Sequence, residues 1–523
     1  MVSQLHVKSR IKAPMSILPT PHGGPSPDQK KTSIDKDLKR IIQLDKATTR
    51  LGLRNLDMGF GLLFVMAVWA YTYLQSGTTD GYAIIAIASI IGAYMAMNIG
   101  ANDVANNVGP AVGSKALTMM GALAIAATFE AAGALIAGGD VVNTISKGVV
   151  SPEAFADQSV FVYAMLAALL AAALWVNLAT LIGAPVSTTH SIVGGVLGAG
   201  IAAAGVSAVD WPIMGAIAAS WVISPVLGGI IAAGFLLFVK VAVIFKEDKV
   251  AAAQRWIPIL VGIMAGAFSV YLVMKGLKRV WKAETPALIA IGVAAFVIAY
   301  ALVRYVALKD TSHIENTRKS VGKLFRSPLI CAAALLSFAH GSNDVANAVG
   351  PLAAIVTAVT AGTVSAEVTL PLWVLAIGAI GISIGLLLFG PKIIKVVGEK
   401  ITKLDPIRAF CVALSAAITV IVASGLGLPV SSTHIAVGGV FGVGFLREFI
   451  TNRHFGPAPA KQSSAAGDAP LSPDMVVNKW TKAKKRKLVR RRYLLGIVAA
   501  WLITVPSSAI MAAVLFMLVS AFF

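Results

Sequence analysis

Apolar positions come along this chain in long unbroken runs, and the polar residues that interrupt them are few and clustered. The runs around Leu62–Leu74, Tyr163–Ile182, Ile213–Val239 and Leu494–Phe523 show no two-residue alternation. Several reach the ~20 residues that a helix needs to cross a bilayer. Lipid offers no partners to backbone N–H and C=O groups, so a spanning chain is either a helical bundle or a closed barrel. Continuous runs without alternation predict helices, near 56–76, 83–113, 116–139, 212–239, 256–275, 286–308, 328–358, 371–390 and 493–521. Two further apolar segments, 159–205 and 405–447, are each broken midway by a proline and a polar cluster. The breaks read GAPVSTTHSIVGG from Gly183 and GLPVSSTHIAVGG from Gly427. A Gly/Pro stop followed by Ser and Thr is one helix ending and another starting, so each segment is expected to form a re-entrant helical hairpin, with two full spans as the alternative.

Composition narrows the class. The 523 residues are 57% hydrophobic and 13% charged, against about 25% charged in soluble domains, and the mean hydropathy is +0.80. The chain is expected to be an all-α polytopic membrane protein. A net charge of +20 would suit nucleic acid, but Lys and Arg gather between the apolar runs, which is how topology is encoded in membranes. The run KAKKRKLVRRR (Lys482–Arg492) directly precedes an apolar run and reads as a topology anchor. Residues 455–478 read as a flexible linker. The first 50 residues are polar and basic and read as a mobile tail with no cleavable signal. Cys331 and Cys411 lie in apolar runs as packing residues. No phosphate-binding loop, zinc spacing or nucleophile–base pair points to ATP hydrolysis or catalysis, so no enzyme and no cofactor are expected.

The chain also repeats itself. GANDVANNVGP begins at Gly100 and GSNDVANAVGP at Gly341, and each is followed by one PVS[TS]TH break. A fainter third element follows each, SWVISPVLGGI from Ser220 and AWLITVPSSAI from Ala500. The expected organisation is a basic cytoplasmic tail (1–55), a first repeat (56–245), spacer helices with a basic loop (246–327) and a second repeat (328–521). The second repeat includes a cytoplasmic linker at 448–492 and a last helix at 493–521. With the amino terminus in the cytoplasm and both hairpins re-entrant, Lys147, Lys275, Lys278, Arg279 and Lys282 alone fall outside, five of the 44 basic residues. The first NDVAN helix then runs inward and the second outward, giving two inverted-topology repeats with discontinuous helices. Secondary transporters build a site near the bilayer midplane in this way.

Within NDVAN, Asn102, Asp103 and Asn106 fall on one helical face, as do Asn343, Asp344 and Asn347. Carboxylates and carboxamides offer oxygen ligands to a hard cation such as Na+, or a protonatable pair for H+. Gly100, Gly109, Gly341 and Gly350, with Pro110 and Pro351, are expected to unwind the helices and expose carbonyls. In PVSTTH and PVSSTH, the hydroxyls of Ser187, Thr188 and Thr189 and of Ser431, Ser432 and Thr433 sit at a helix start. Free N–H groups there favour an anion, while plain N-capping is the alternative use of such residues. His190 and His434 follow the tips as candidate proton carriers or anion contacts. Glu130 is a mid-helix carboxylate with no counterpart near Gly381–Gly385; it can bind a cation, carry a proton or pair with Lys115 or Lys147.

The paired motifs GANDVANNVGP and GSNDVANAVGP, each followed by PVS[TS]TH, resemble the inorganic phosphate transporter (PiT) family over about residues 83–521. The resemblance implies a bacterial secondary symporter of the inner membrane that imports inorganic phosphate with Na+ or H+. The family's motif Asp and Asn match Asn102, Asp103, Asn106, Asn343, Asp344 and Asn347. Its hairpin Ser and Thr match Ser187, Thr188, Thr189, Ser431, Ser432 and Thr433. Phe129–Glu130 resembles a Phe–Glu pair of Na+-dependent members. The implied substrate is phosphate, bare or as a metal–phosphate complex, with membrane lipids around the protein, a homodimer as one option, and no nucleic acid. A sulfate permease of the same fold and an anion channel are the alternatives.

Overall fold

The computed structural model describes residues 56–182, 184, 186–276, 281, 283–309, 313–361, 370–400, 404–452 and 491–522. The tail at 1–55, the linker expected at 455–478, most of the basic run before residue 492, and Lys278, Arg279 and Lys282 lie outside the described residues. The described residues from Asp57 onward form one compact unit. Among the described residues the only pairing of strand type is one isolated bridge, Val150 with Val209. Everything else of note is helical.

The helices are α1 (Leu56–Ser76), α2 (Tyr82–Gly113), α3 (Met119–Ala137), α4 (Gly139–Asn143), α5 (Gln158–Ile182) and α6 (Thr188–Ala204). They continue as α7 (Trp211–Val239), α8 (Lys249–Gly276), α9 (Thr285–Leu302), α10 (Arg318–Leu324), α11 (Arg326–Asp344) and α12 (Ala346–Ala361). The last are α13 (Leu372–Lys400), α14 (Pro406–Gly425), α15 (Ser432–Asn452) and α16 (Arg491–Phe522). Twelve helices among the described residues are long and apolar enough to cross a membrane. Large apolar side chains such as Leu62, Val222 and Ile298 point outward, as the surface of a lipid-embedded bundle requires. The two breaks fall where the Gly/Pro stops put them, between α5 and α6 and between α14 and α15.

Packing crosses between the two copies of the sequence. Helix α2 lies on α13 and α11 on α3; α6 lies on α16 and α15 on α7. Glycines allow the close approach that substitutes for a hydrophobic driving force between helices in lipid. A Cβ at Gly100 would overlap the backbone carbonyl of Ile382, and one at Gly341 that of Glu130. In the same way Gly194 and Gly198 face the carbonyls of Val505 and Ala509, while Gly438 and Gly442 face those of Pro225 and Gly229. The faint third sequence elements are therefore the surfaces against which the second arms of the hairpins pack.

One expectation is corrected here. The NDVAN motifs are not unwound: α2 runs unbroken through Gly100–Pro110. The second copy is interrupted only at Val345, whose backbone stays right-handed at φ −57°, ψ −33°. Gly100, Gly341 and Gly350 serve close packing, and each proline removes a single N–H, which frees one carbonyl, that of Asn106 or Asn347, rather than a turn.

Asp405 shows a helix start built conventionally. Its Oδ1 accepts from Arg408 N at 2.9 Å, and its Oδ2 lies 3.0 Å from Arg408 Nε and 3.2 Å from Arg318 Nη2. Burial raises the Asp405 pKa, but the hydrogen bond and charge of Arg408, with Arg318 behind, outweigh it and hold the group below its usual value. A depressed carboxylate stabilises the fold above the ordinary Asp range, and this contribution fades as pH falls through the folded-state value. Asp405→Ala should cost about 1 kcal/mol, the worth of an N-cap, and lower the thermal midpoint at neutral pH. A midpoint equal to wild type would show that the cap contributes nothing.

Candidate functional site

The two motif helices bring their polar faces together at the centre of the bundle, and the two hairpin tips close over them. Asp103 and Asp344 are each 1% exposed. The hydroxyls that donate to them all come from the hairpin tips. The outer asparagines tie each motif to the hairpin of its own half. Asn102 Nδ2 donates to Thr180 Oγ1 at 2.9 Å and to the Ala184 carbonyl at 3.4 Å. Asn343 Nδ2 donates to Ser424 Oγ at 2.9 Å and to the Leu428 carbonyl at 3.2 Å.

The inner asparagines reach across instead. Asn106 Nδ2 donates to Thr433 Oγ1 at 2.8 Å; Asn347 Nδ2 donates to Thr188 Oγ1 at 3.2 Å and Thr189 Oγ1 at 3.1 Å. The hydroxyls then meet the carboxylates. Thr433 donates to Asp103 Oδ1 at 2.8 Å and Ser432 to Asp344 Oδ2 at 3.3 Å. Thr188 Oγ1 stands between the two aspartates, 3.0 Å from Asp103 Oδ2 and 3.4 Å from Asp344 Oδ2. The tips also touch each other, Thr189 Oγ1 donating to the Val430 carbonyl at 3.0 Å.

The six hairpin hydroxyls divide by job. Ser187 and Ser431 cap their helices, accepting from His190 N at 3.1 Å and His434 N at 3.3 Å. Thr188, Thr189, Ser432 and Thr433 face the motif residues. The division follows from helix geometry, because a cap oxygen must turn back onto the N–H two or three residues ahead. His190 and His434 have ring contacts with each other, centroids 4.6 Å apart, and His190 lies 3.9 Å from Trp221.

Glu130 has buried partners that the sequence reading did not include. Its Oε1 accepts from Asn107 Nδ2 at 2.7 Å, and its Oε2 lies 3.3 Å from His340 Nδ1. His340 Nε2 in turn lies 3.1 Å from Asp344 Oδ2 and 4.0 Å from Asp103 Oδ2. His340, Asn107, Thr180 and Ser424 are thus the residues that sequence reasoning missed. A signal for the first existed: His340 and Asp344 are four apart and share a helical face, in the stretch SFAHGSNDVAN.

The arrangement suits small ions. Asp103, His340 and Asp344 bring one ligand atom each within 4.8 Å of one another. The oxygens Asn102 Oδ1, Asp344 Oδ1 and Asn347 Oδ1 are buried without a hydrogen-bond partner, and such oxygens suit a hard cation. The adjoining hydroxyls and helix starts are donors suited to an oxyanion.

Among the described residues, twelve helices able to cross a membrane, with two buried carboxylates, their carboxamides and two hydroxyl-bearing helix starts, define a multi-pass membrane protein with a site suited to small ions. The chain belongs to the phosphate transporter family: the profile described as "Phosphate transporter family" matches residues 99–512, and phosphate is the substrate that membership implies. A provisionally named phosphate permease of Helicobacter pylori (strain J99) is 46% identical, covering 92% of this chain and 98% of its own. A similarly named protein of Haemophilus influenzae is 34% identical over 84% of this chain and 97% of its own. Among solved structures, one titled "The sodium-dependent phosphate transporter" superposes with a TM-score of 0.74 at 35% identity. It covers 84% of this chain and 100% of that one.

Proposed function

We propose that this chain imports inorganic phosphate in symport with Na+ across the cytoplasmic membrane, by alternating access between two inverted repeats. Phosphate is held by Thr188, Thr189, Ser432 and Thr433 and the helix starts that carry them, with Ser187 and Ser431 holding those starts in shape. Na+ is held by Asp103, Asp344 and the carboxamides of Asn102, Asn106, Asn343 and Asn347. The repeats are residues 56–245 and 328–521 around a spacer at 246–327, with re-entrant hairpins and a cytoplasmic amino terminus.

One observation carries the reading: each inner asparagine bonds the hairpin tip of the opposite half, Asn106 to Thr433 and Asn347 to Thr188. Two tips stitched crosswise over a shared pair of carboxylates form one site that can open to either face only by exchanging those bonds. Cation charge offsets the charge of the anion, so the loaded site rearranges where a half-loaded one does not. The 35% identity to a transporter titled sodium-dependent favours Na+ over H+.

The test is uptake of labelled phosphate into proteoliposomes under an imposed Na+ gradient and, separately, an H+ gradient. Uphill accumulation with Na+ alone, undiminished by excess sulfate, is expected. Accumulation driven only by H+ would overturn the choice of ion. Accumulation of neither kind would overturn symport, since a channel cannot concentrate its ion. Repeating the assay with and without a divalent metal ion tests whether phosphate moves bare or as a metal complex.

A further inference from the structure

The two copies of the motif are built alike except along one line of side chains. Gly100 meets the carbonyl of Ile382 and Gly341 meets that of Glu130, which makes Ile382 the positional counterpart of Glu130. By the same register Ile99 is the counterpart of His340, and Ala348 that of Asn107. At the positions related by the repeat, Ala348, Ile99 and Ile382 therefore stand where Asn107, His340 and Glu130 stand. All three polar residues are buried, His340 and Glu130 at 0% exposure. Placing an imidazole and a carboxylate at membrane depth is costly, and the apolar version of the same positions shows that packing does not require it.

The chain of contacts ends on one atom. Asn107 holds Glu130 at 2.7 Å, Glu130 stands 3.3 Å from His340 Nδ1, and His340 Nε2 stands 3.1 Å from Asp344 Oδ2. Asp344 Oδ1 is left buried without a hydrogen-bond partner, and so is Asn347 Oδ1, three residues on and hence on the same helical face. At Asp103 the pattern differs: both oxygens accept from hydroxyls, Oδ1 from Thr433 and Oδ2 from Thr188.

We infer that His340, braced by Glu130 and Asn107, is a positioning residue that takes Asp344 Oδ2 and so aims Asp344 Oδ1, with Asn347 Oδ1, at a cation. The two aspartates of the repeated motif then have unequal tasks. Both carboxylates lend the cation their charge, but Asp344 aims an uncommitted oxygen at it, whereas Asp103 has both oxygens on the tip hydroxyls Thr188 and Thr433 and so orients these on the anion side. This rests on the symport reading above. A ring fixed by an outer carboxylate is the arrangement that orients side chains around bound ions elsewhere.

The experiment measures, in proteoliposomes, the Na+ concentration for half-maximal phosphate uptake and, at saturating Na+, the KM for phosphate. His340→Ile, which copies Ile99, should raise the Na+ requirement by roughly tenfold or more, the scale on which loss of a residue that orients a ligand weakens ion binding. The phosphate KM should move by less than about threefold. His340→Gln, whose amide can still donate to Asp344, should restore the Na+ requirement to near wild type. Asn107→Ala, which leaves the ring in place, should give an intermediate value. If wild type is Na+-driven and His340→Ile leaves the Na+ requirement unchanged, the inference is overturned while the symport reading stands. Equal losses in Na+ requirement and phosphate KM, or failure of His340→Gln to rescue, would mark His340 as a packing residue and overturn it too. Wild type that shows no Na+ dependence overturns the choice of Na+ as the coupling ion, and this inference with it.

Discussion

Asp103→Asn and Asp344→Asn should each abolish Na+-driven phosphate uptake while the protein stays folded in the membrane. The substitution keeps the size of the side chain and one acceptor oxygen, so the hydroxyl contacts from Thr188, Thr433 and Ser432 have a partner left. What disappears is one negative charge in a site that is 1% exposed. At the low effective dielectric of a buried site the interaction of a carboxylate with a cation is far stronger than in solution. Losing even an indirect ligand partner costs a bound ion about 10–100-fold in affinity, so losing the charge itself should take uptake to background. The comparison to make is initial uptake against the amount of monodisperse protein recovered. Na+-driven uptake at wild-type rates in both variants would remove the aspartates from the cation site.

The second large effect is structural. Gly341→Ala should destabilise the protein severely, because the added Cβ would fall on the backbone carbonyl of Glu130. A backbone atom cannot swing aside as a side chain can, so α11 must move off α3. Overpacking of side chains alone costs typically 1–3 kcal/mol, and here the same movement also pulls His340 from Glu130. Gly100→Ala, which meets the Ile382 carbonyl, should behave alike. Gly234→Ala is the control: nothing lies within 4 Å of its Cβ position, and Ala is the better helix former by about 1 kcal/mol. Thermal melting in detergent separates them. Wild-type melting for Gly341→Ala would show that the contact between α11 and α3 tolerates an added methyl group.

Much of this could be read along the chain. The helices at α2, α7 and α9 start and stop within a few residues of where the apolar runs do, because crossing lipid forces each helix to satisfy its own backbone and to be apolar along its length. The hairpin breaks were legible for a similar reason: a proline and a Ser/Thr cluster act on the few residues around them. The repeated NDVAN and PVS[TS]TH phrases singled out Asp103, Asp344 and six tip hydroxyls, those of Ser187, Thr188, Thr189, Ser431, Ser432 and Thr433, since the polar residues of each phrase are neighbours in sequence.

Contacts between distant segments were not legible, and they decide how the site is wired. Nothing local says that Asn106 bonds Thr433, 327 residues away, rather than the tip of its own half, as Asn102 does. Glu130 read as an isolated carboxylate because its partner His340 lies on a helix more than two hundred residues later. Ser187 and Thr188 look interchangeable in a string, yet one oxygen turns back to cap its helix and the other turns toward the carboxylates. The glycines of NDVAN read as breaks, but a glycine in sequence carries two meanings, conformational freedom and absence of bulk. Only the carbonyls of Ile382 and Glu130, brought up against them by the fold, selected the second. Sequence by itself determined the helices, the breaks and the chemical inventory, because these follow from local hydropathy and backbone chemistry. The tertiary structure alone determined which donor meets which acceptor, because that depends on which helix faces are pressed together.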